Sequence, residues 1–158
     1  MRGDALFRVA TVSVIVVIIA FAAFGLLGVT FSKSSTTSDG YTLSVDYAAI
    51  ARPGLEAPFS ITVTRDGAPL PDQLTIGIGS DLLLLLDHYG IQPTPVGSSN
   101  DGVWTTWTFD VPPGQTVFAV DFDGRMGPSE RWSHEETAFL NIEEDRIVTT
   151  RFTLWVLP

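Results

Sequence analysis

Cysteine is absent from the 158 residues of this sequence. Its absence excludes a disulfide scaffold, a thiolate zinc site, a cysteine nucleophile and a lipid-modified cysteine anchor. Histidine is scarce, with two residues, and Lys33 is the single lysine. Thiolate chemistry is therefore excluded, and a site built from several histidines is not supported by this sequence.

Basic residues are too few to balance the acids. The chain has nine Lys and Arg against 18 Asp and Glu, and residues 41–158 alone contain six Arg and sixteen Asp or Glu, a net charge of −10. A domain of this charge repels nucleic acid and anionic headgroups. We therefore expect no nucleic-acid partner.

Charge is missing altogether from residues 9–31, VATVSVIVVIIAFAAFGLLGVTF. A helix of this length covers about 35 Å, enough to cross a hydrocarbon core of about 30 Å. The segment is interpreted as a transmembrane helix in contact with lipid. A cleaved signal peptide is the competing interpretation, but its apolar core is shorter. Arg2 and Arg8 precede the segment, so the positive-inside bias predicts a cytoplasmic tail over residues 1–8 and an exported C-terminal part.

Two further features describe how this anchor connects to its surroundings. Gly25 and Gly28, with nearby alanines, form a small-residue face that suits close packing against an integral membrane partner, although such residues are frequent in membrane helices anyway. Residues 32–40 are rich in Ser and Thr. They are predicted to be a mobile polar linker, with one exported domain over residues 41–158.

Period-two alternation of apolar and polar residues dominates the domain and indicates strands. About seven strands are predicted, at 42–47, 58–65, 73–78, 103–111, 116–123, 138–142 and 147–157. Short strands with Pro and Gly between them favour an antiparallel, immunoglobulin-like β-sandwich. A closed barrel is the alternative.

The segment 80–90, SDLLLLLDHYG, departs from this pattern. Its leucines fit either a strand buried on both faces or a short helix that Ser80 or Asp81 caps and Gly90 ends. We favour a short helix across the end of the sandwich. Exposed leucines would form a partner-contact surface, made from Leu82, Leu83, Leu84, Leu85 and Leu86.

Several short segments also resemble a known group of proteins: VDY at 45–47, RPG at 52–54, PFSITV at 58–63, SDLLLLLDHYGIQPTP at 80–95, WTFDVPPG at 107–114 and FTLWVLP at 152–158. They are similar to an uncharacterised bacterial family of small single-pass membrane proteins with an exported immunoglobulin-like domain. The matching residues lie mainly in turns and in the core. The resemblance therefore implies a topology and no particular chemistry.

Catalytic and metal-binding patterns are weak. Asp121, Asp123 and Glu130 are the best candidates for a calcium site, but the ligand spacing of an EF-hand is not present. His134 and His88 are far apart in the sequence, and no second histidine follows His134 at zinc-motif spacing. Without a nucleophile motif or a phosphate-binding loop, the chain is predicted to be no enzyme, with no metal and no cofactor.

Tryptophan offers a different kind of site. Trp104 is predicted on the polar face of its strand, and Trp132 in an acidic loop, where each can contact a protein partner, stack on a sugar or simply cover the sheet. The first functional hypothesis is an accessory or assembly subunit of a bacterial membrane complex, with the helix and the sandwich both touching an integral membrane protein. The second is a tethered extracytoplasmic module that binds calcium or cell-envelope glycan.

Overall fold

The fold is given by a computed structural model, which describes residues 2–23, 29–143 and 145–157. The first element is helix α1, Arg2–Ala23. Within the described ranges, neither helix combines the length and the apolar character that crossing a membrane requires. Gly25 and Gly28 lie outside the described residues.

Within the described residues, ten strands and a second, short helix follow. Their bounds are β1 Thr30–Ser38, β2 Tyr41–Ala51, β3 Phe59–Arg65, β4 Gln73–Gly79, α2 Ser80–Leu84, β5 Leu86–Gln92, β6 Gly97–Asn100, β7 Trp104–Asp110, β8 Val117–Met126, β9 Ser133–Ile142 and β10 Asp145–Val156. The prediction of an all-β domain with one short helix is confirmed. The predicted count of about seven strands is wrong, because β1, β5 and β6 were not foreseen.

The strands form one continuous sheet in the order β5-β8-β3-β2-β10-β9-β4-β7-β6, with β1 paired to β2 beside this path. All pairs are antiparallel except the short ladder between β10 and β2, where Trp155 lies opposite Ile50 and Val156 opposite Ala51. This ladder joins two halves, β1-β2-β3-β8-β5 and β10-β9-β4-β7-β6. The two halves are therefore connected on one side, through β2 and β10, and β5 and β6 are the outermost strands of the order.

The two halves face each other across an aromatic core. Trp107 of β7 meets Phe122 of β8 edge-on, with ring centroids 5.2 Å apart, although their strands belong to different halves. Phe122 also stacks on Phe59 of the neighbouring strand, at 4.2 Å. The sheet therefore folds over on itself as a sandwich. Its apolar interior follows from the alternation in the sequence, since Phe118, Val120 and Phe122 of β8 are buried and the residues between them are exposed.

The prediction that residues 32–40 form a mobile linker is wrong. Most of it belongs to β1, which pairs with β2 along its whole length from Thr30 to Ser38. The turn between them uses Asp39 and Gly40, both with positive φ, at 51° and 77°, the geometry of a tight hairpin. Because ladder hydrogen bonds use the backbone, a polar Ser/Thr segment can complete a sheet edge without apolar side chains.

The predicted anchor over 9–31 is also too long at its C-terminal end. Thr30 and Phe31 lie in β1, opposite Ile50 and Ala48 of β2. Val29 already packs against the hydrophobic core. The chain therefore enters the sandwich at residue 29, and the apolar run of the sequence continues into the domain.

Candidate functional site

The leucine segment was predicted as one short helix, and it divides into two elements. Helix α2 covers Ser80–Leu84, and β5 begins at Leu86. The residue before the helix is Gly79, with no side-chain hydrogen bond capping the N-terminus, so neither Ser80 nor Asp81 is the cap. Gly90 does not end the helix but lies within β5.

Burial differs from one leucine to the next. Leu82 and Leu86 are buried, Leu83 and Leu85 pack partly against the core, and Leu84 is 82% exposed. The partner-contact surface predicted from Leu82 to Leu86 is therefore not present as a whole, because only Leu84 of the five is exposed. Buried and exposed leucines alternate within these five residues because helix α2 ends at Leu84 and strand β5 begins at Leu86.

A shallow groove of about 570 Å³ lies beside α2. Asn100 lines it and donates from Nδ2 to the hydroxyls of Ser80, at 3.2 Å, and Thr105, at 2.6 Å. Asp101 accepts from the backbone N–H groups of Trp104 and Val103, and these bonds hold the pKa of its carboxyl below the ordinary value. The groove wall is thus ordered by its own hydrogen bonds, with Tyr89 partly exposed at its edge.

Glu136 is a buried carboxyl, 5% exposed, near the same end of the sandwich. The alternation of β9 turns it to the side of Ala138 and Leu140, toward the core. Burial raises the pKa of Glu136 from its ordinary value of 4.5 to about 7, and the nearby Asp81 carboxylate adds to the increase. The protonated form is therefore favoured in the fold.

This raised pKa predicts a pH-dependent stability. The folded state holds a proton that the unfolded chain has lost between pH 4.5 and about 7, so the free energy of unfolding falls as pH rises through this window and levels off above it. E136Q, neutral throughout, should be more stable than the wild type at pH 8 by about 1–2 kcal/mol, after allowance for solvent screening. Chemical denaturation of the full chain at pH 4.5 and pH 8 measures it.

The exposed neighbour provides the matched control for this prediction. E135Q changes the same functional group one residue earlier, on the solvent side of β9, and should keep the wild-type pH dependence. If E136Q lost as much stability as the wild type between pH 4.5 and pH 8, Glu136 would not be the group responsible.

Trp104 lies on the outer face of β7, as predicted, and is half-buried. It meets the Phe139 ring edge-on, with centroids 5.2 Å apart. The Arg146 guanidinium lies over both rings, 3.6 Å from the centroid of Phe139 and 5.3 Å from that of Trp104. Trp104 therefore covers Phe139, which is 1% exposed on the outer side of the sheet.

Trp132 is 64% exposed and follows a loop that is fixed by side-chain hydrogen bonds. The Ser129 hydroxyl donates to the Arg131 carbonyl at 2.8 Å and accepts from the Arg131 N–H at 3.2 Å. Nε2 of His134 lies 2.9 Å from the same hydroxyl. His134 is thus engaged in ordering this loop. The side chain of His88 lies outside what the structure describes.

The acidic candidates do not assemble into a metal site. Asp121 and Asp123 share the exposed face of β8, and Glu130 is exposed in the loop after that strand. Across the described part of the chain, no group of three or more His, Cys, Asp or Glu residues is arranged to hold a metal ion. The predicted acidic loop over 124–136 is shorter than expected, because β8 continues to Met126 and β9 starts at Ser133.

Two features were missed by the sequence reasoning. The sequence did not single out Glu136, and the close contact between Phe139 and Gly77 was not foreseen. These two residues lie opposite each other on β9 and β4. The burial of Glu136 could have been predicted from its position two residues before Ala138, because residues two apart on a strand lie on the same face and Ala138 and Leu140 are buried.

No family model matches this chain, and no curated protein matches it. Among solved structures, it is similar to the CARDB domain of a Pyrococcus furiosus protein in complex with di-metal ions, at 12% identity and a TM-score of 0.46, covering 80% of this chain and 89% of that chain. It is also similar to the bacterial hydrophobin BslA, at 8% identity and a TM-score of 0.48, covering 80% and 98%. A third is the collagen-binding domain of a Staphylococcus aureus adhesin, at 7% identity and a TM-score of 0.36, covering 82% and 97%. At these identities and TM-scores, the similarities carry no argument about function.

Proposed function

We propose that the protein is a non-catalytic accessory or assembly subunit, anchored in the bacterial cytoplasmic membrane by its N-terminal segment. The sandwich domain, from residue 29 onward, is then displayed outside the cytoplasm. The observation that carries this proposal is the surface of α1. Six consecutive aliphatic residues at positions 14–19 are each at least 50% exposed.

Six consecutive residues occupy every side of a helix, because each residue turns the chain by about 100°. Helix α1 is therefore apolar all round over this stretch. Such a surface is typical of helices that are covered by lipid or by other helices. The uncharged residues 9–31 and the basic Arg2 and Arg8 before them support an orientation with the N-terminus inside.

The sandwich supplies the part that contacts a partner outside the membrane. We infer an immunoglobulin-like arrangement, supported by two facing five-stranded halves and by the parallel junction of β2 with β10. Such sandwiches serve many functions. A structural or binding role also fits a sequence without a nucleophile motif.

The test is to isolate the full chain, with a C-terminal tag, from its native membrane in mild detergent. The expected result is one multi-pass protein in fixed stoichiometry. As a matched control, residues 9–28, which precede the sandwich, are replaced by an unrelated apolar span of equal length. This variant should remain in the membrane fraction and lose the partner. Recovery of a lone monomer from the wild type would contradict the accessory role.

A tethered glycan-binding module is the second candidate. The groove beside α2 favours it, because the 40% exposed Tyr89 and the hydrogen-bonded amide of Asn100 both line it, and an aromatic ring together with polar groups is a combination that suits sugar binding. Calcium, the other ligand of the second hypothesis, has no comparable support from Asp121, Asp123 and Glu130. Binding of cell-envelope polysaccharide that is lost in Y89A and kept in Y41F would favour this function.

A further inference from the structure

Most of the large apolar side chains that the domain exposes lie at one end of the sandwich. Six of them, between 44% and 82% exposed, belong to the strand ends and loops where the chain arrives from α1. We call this set the chain-entry end. It consists of Phe31, Leu55, Leu84, Val103, Trp132 and Trp155.

The aromatic members are brought together by the junction of the two halves. Ile50 lies opposite Thr30 on one edge of β2 and opposite Trp155 on the other. Phe31, the aromatic residue of β1, directly follows Thr30. The N–H of Val156 donates to the carbonyl of Trp132 at 2.9 Å. The two most exposed tryptophans of the domain are therefore neighbours at this end.

Backbone hydrogen bonds also tie the aliphatic members to this end. The Met126 N–H donates to the carbonyl of Leu55 at 3.0 Å, and the next amide, Gly127, donates to Leu85 at 2.7 Å. The first amide of α2 donates to the carbonyl of Val103 at 2.9 Å. Because the loops are joined by main-chain bonds, their exposed side chains are held on a fixed surface.

The opposite end of the sandwich has a different character. Its turns and strand ends carry exposed carboxylates from Asp39, Asp66, Asp72, Glu143 and Asp145. Exposed carboxylates are present at the chain-entry end as well, on Glu56, Asp81, Asp87, Asp101 and Glu130. What distinguishes the chain-entry end is therefore its exposed apolar side chains, not a lack of acids.

Chain length keeps the apolar end close to α1. Helix α1 ends at Ala23, and Val29 is already packed on the core. Six residue steps can span about 22 Å at most. The chain-entry end therefore cannot move far from whatever holds the helix.

We infer that the chain-entry end rests on the lipid bilayer, in its interfacial region. This inference rests on the proposed anchoring of the N-terminal segment. Tryptophan suits this location because its ring is apolar while its N–H stays hydrogen-bonded, and the headgroup level of a membrane offers both environments. The acidic charge of the domain points to zwitterionic headgroups, since anionic ones would repel it.

The absence of cysteine in the chain makes a direct test possible. Single cysteines at exposed positions, L84C and V103C, carry a spin label in the full-length protein reconstituted into phosphatidylcholine vesicles. V117C, at the opposite end of the sandwich and 47% exposed, is the control. We expect labels at 84 and 103 to collide more with oxygen than with a water-soluble nickel complex, and the label at 117 to show the reverse.

A measurement without labels checks the aromatic members. Brominated phosphatidylcholine should quench about half of the tryptophan emission of the wild type, since Trp132 and Trp155 are two of its four tryptophans. W132F/W155F should lose this quenching, and W104F should keep it.

The outcomes separate this inference from the proposal on which it rests. If the chain floats with the vesicles but labels at 84 and 103 are as accessible to the nickel complex as the label at 117, the anchoring stands and the lipid contact is wrong. Labels shielded from both reagents would mean that protein covers this end, which also overturns the inference. If the chain does not float at all, the anchoring itself fails.

Discussion

Replacing Phe122 with alanine is expected to lower the free energy of unfolding by about 4 kcal/mol. Phe122 is fully buried and contacts both halves of the sandwich, through Phe59 at 4.2 Å and Trp107 at 5.2 Å. Its removal leaves a cavity and ends two ring contacts at once. Because a domain of this kind has about 5–15 kcal/mol of stability in total, F122A should lose a large share of its stability.

Denaturation of the full chain in mild detergent, followed by circular dichroism, measures this effect. The control is V117A, on the same strand but with a side chain that is about half exposed, which should lose about 0.5 kcal/mol or less. A loss below about 1 kcal/mol in F122A would mean that the two halves do not pack across this ring.

G77A is expected to destabilise the domain by about 3 kcal/mol, although it adds only one methyl group. A Cβ at this position would lie 2.5 and 2.6 Å from ring carbons of Phe139. The ring cannot easily move away, because Arg146 lies over it and Trp104 packs against it. The backbone of β4 or β9 would have to shift instead, at the expense of ladder hydrogen bonds.

A second glycine in a strand provides the control. A Cβ at Gly90 would meet no atom within 4 Å, so G90A should change stability by about 0.5 kcal/mol or less. In the double variant G77A/F139A the steric conflict is removed, and the combined loss should be smaller than the sum of the two single losses. Additive losses would contradict the assigned contact.

Part of this architecture could be read directly from the sequence. Seven strands were predicted from alternation, because a strand with one face on the core must repeat every two residues. β8 is the clearest case, with Phe118, Val120 and Phe122 inward and Asp121 and Asp123 outward. Such patterns report burial, and burial is what the sequence encodes most directly.

Strands without a buried face gave no such pattern. β1 is polar along most of its length and largely exposed, and β6 is exposed throughout. Both exist because a neighbouring strand presents free backbone groups. The Asp39-Gly40 pair did carry a hairpin signal for β1, but its significance depended on recognising a strand in the Ser/Thr segment before it.

The candidate sites depended even more on tertiary structure. The sequence contains Leu84, Val103 and Trp132 in three separate segments, and nothing in their spacing indicates that they share one end of a sandwich. Likewise Glu136 looks like one of two surface acids until the register of β9 with β10 places it opposite the buried Phe152. Exposure and electrostatic environment arise from residues that are distant in the chain.

The sequence alone therefore determined the all-β class, the acidic charge of the domain, the uncharged N-terminal stretch and the absence of thiol chemistry, because these follow from composition and from local periodicity. Only the tertiary structure decided that residues 30–38 are a strand, that the leucine run divides between helix and strand, and that six exposed apolar side chains from separate segments share one end of the sandwich. The physical reason is that strand pairing and loop positions are set by backbone hydrogen bonds, which every residue type can form.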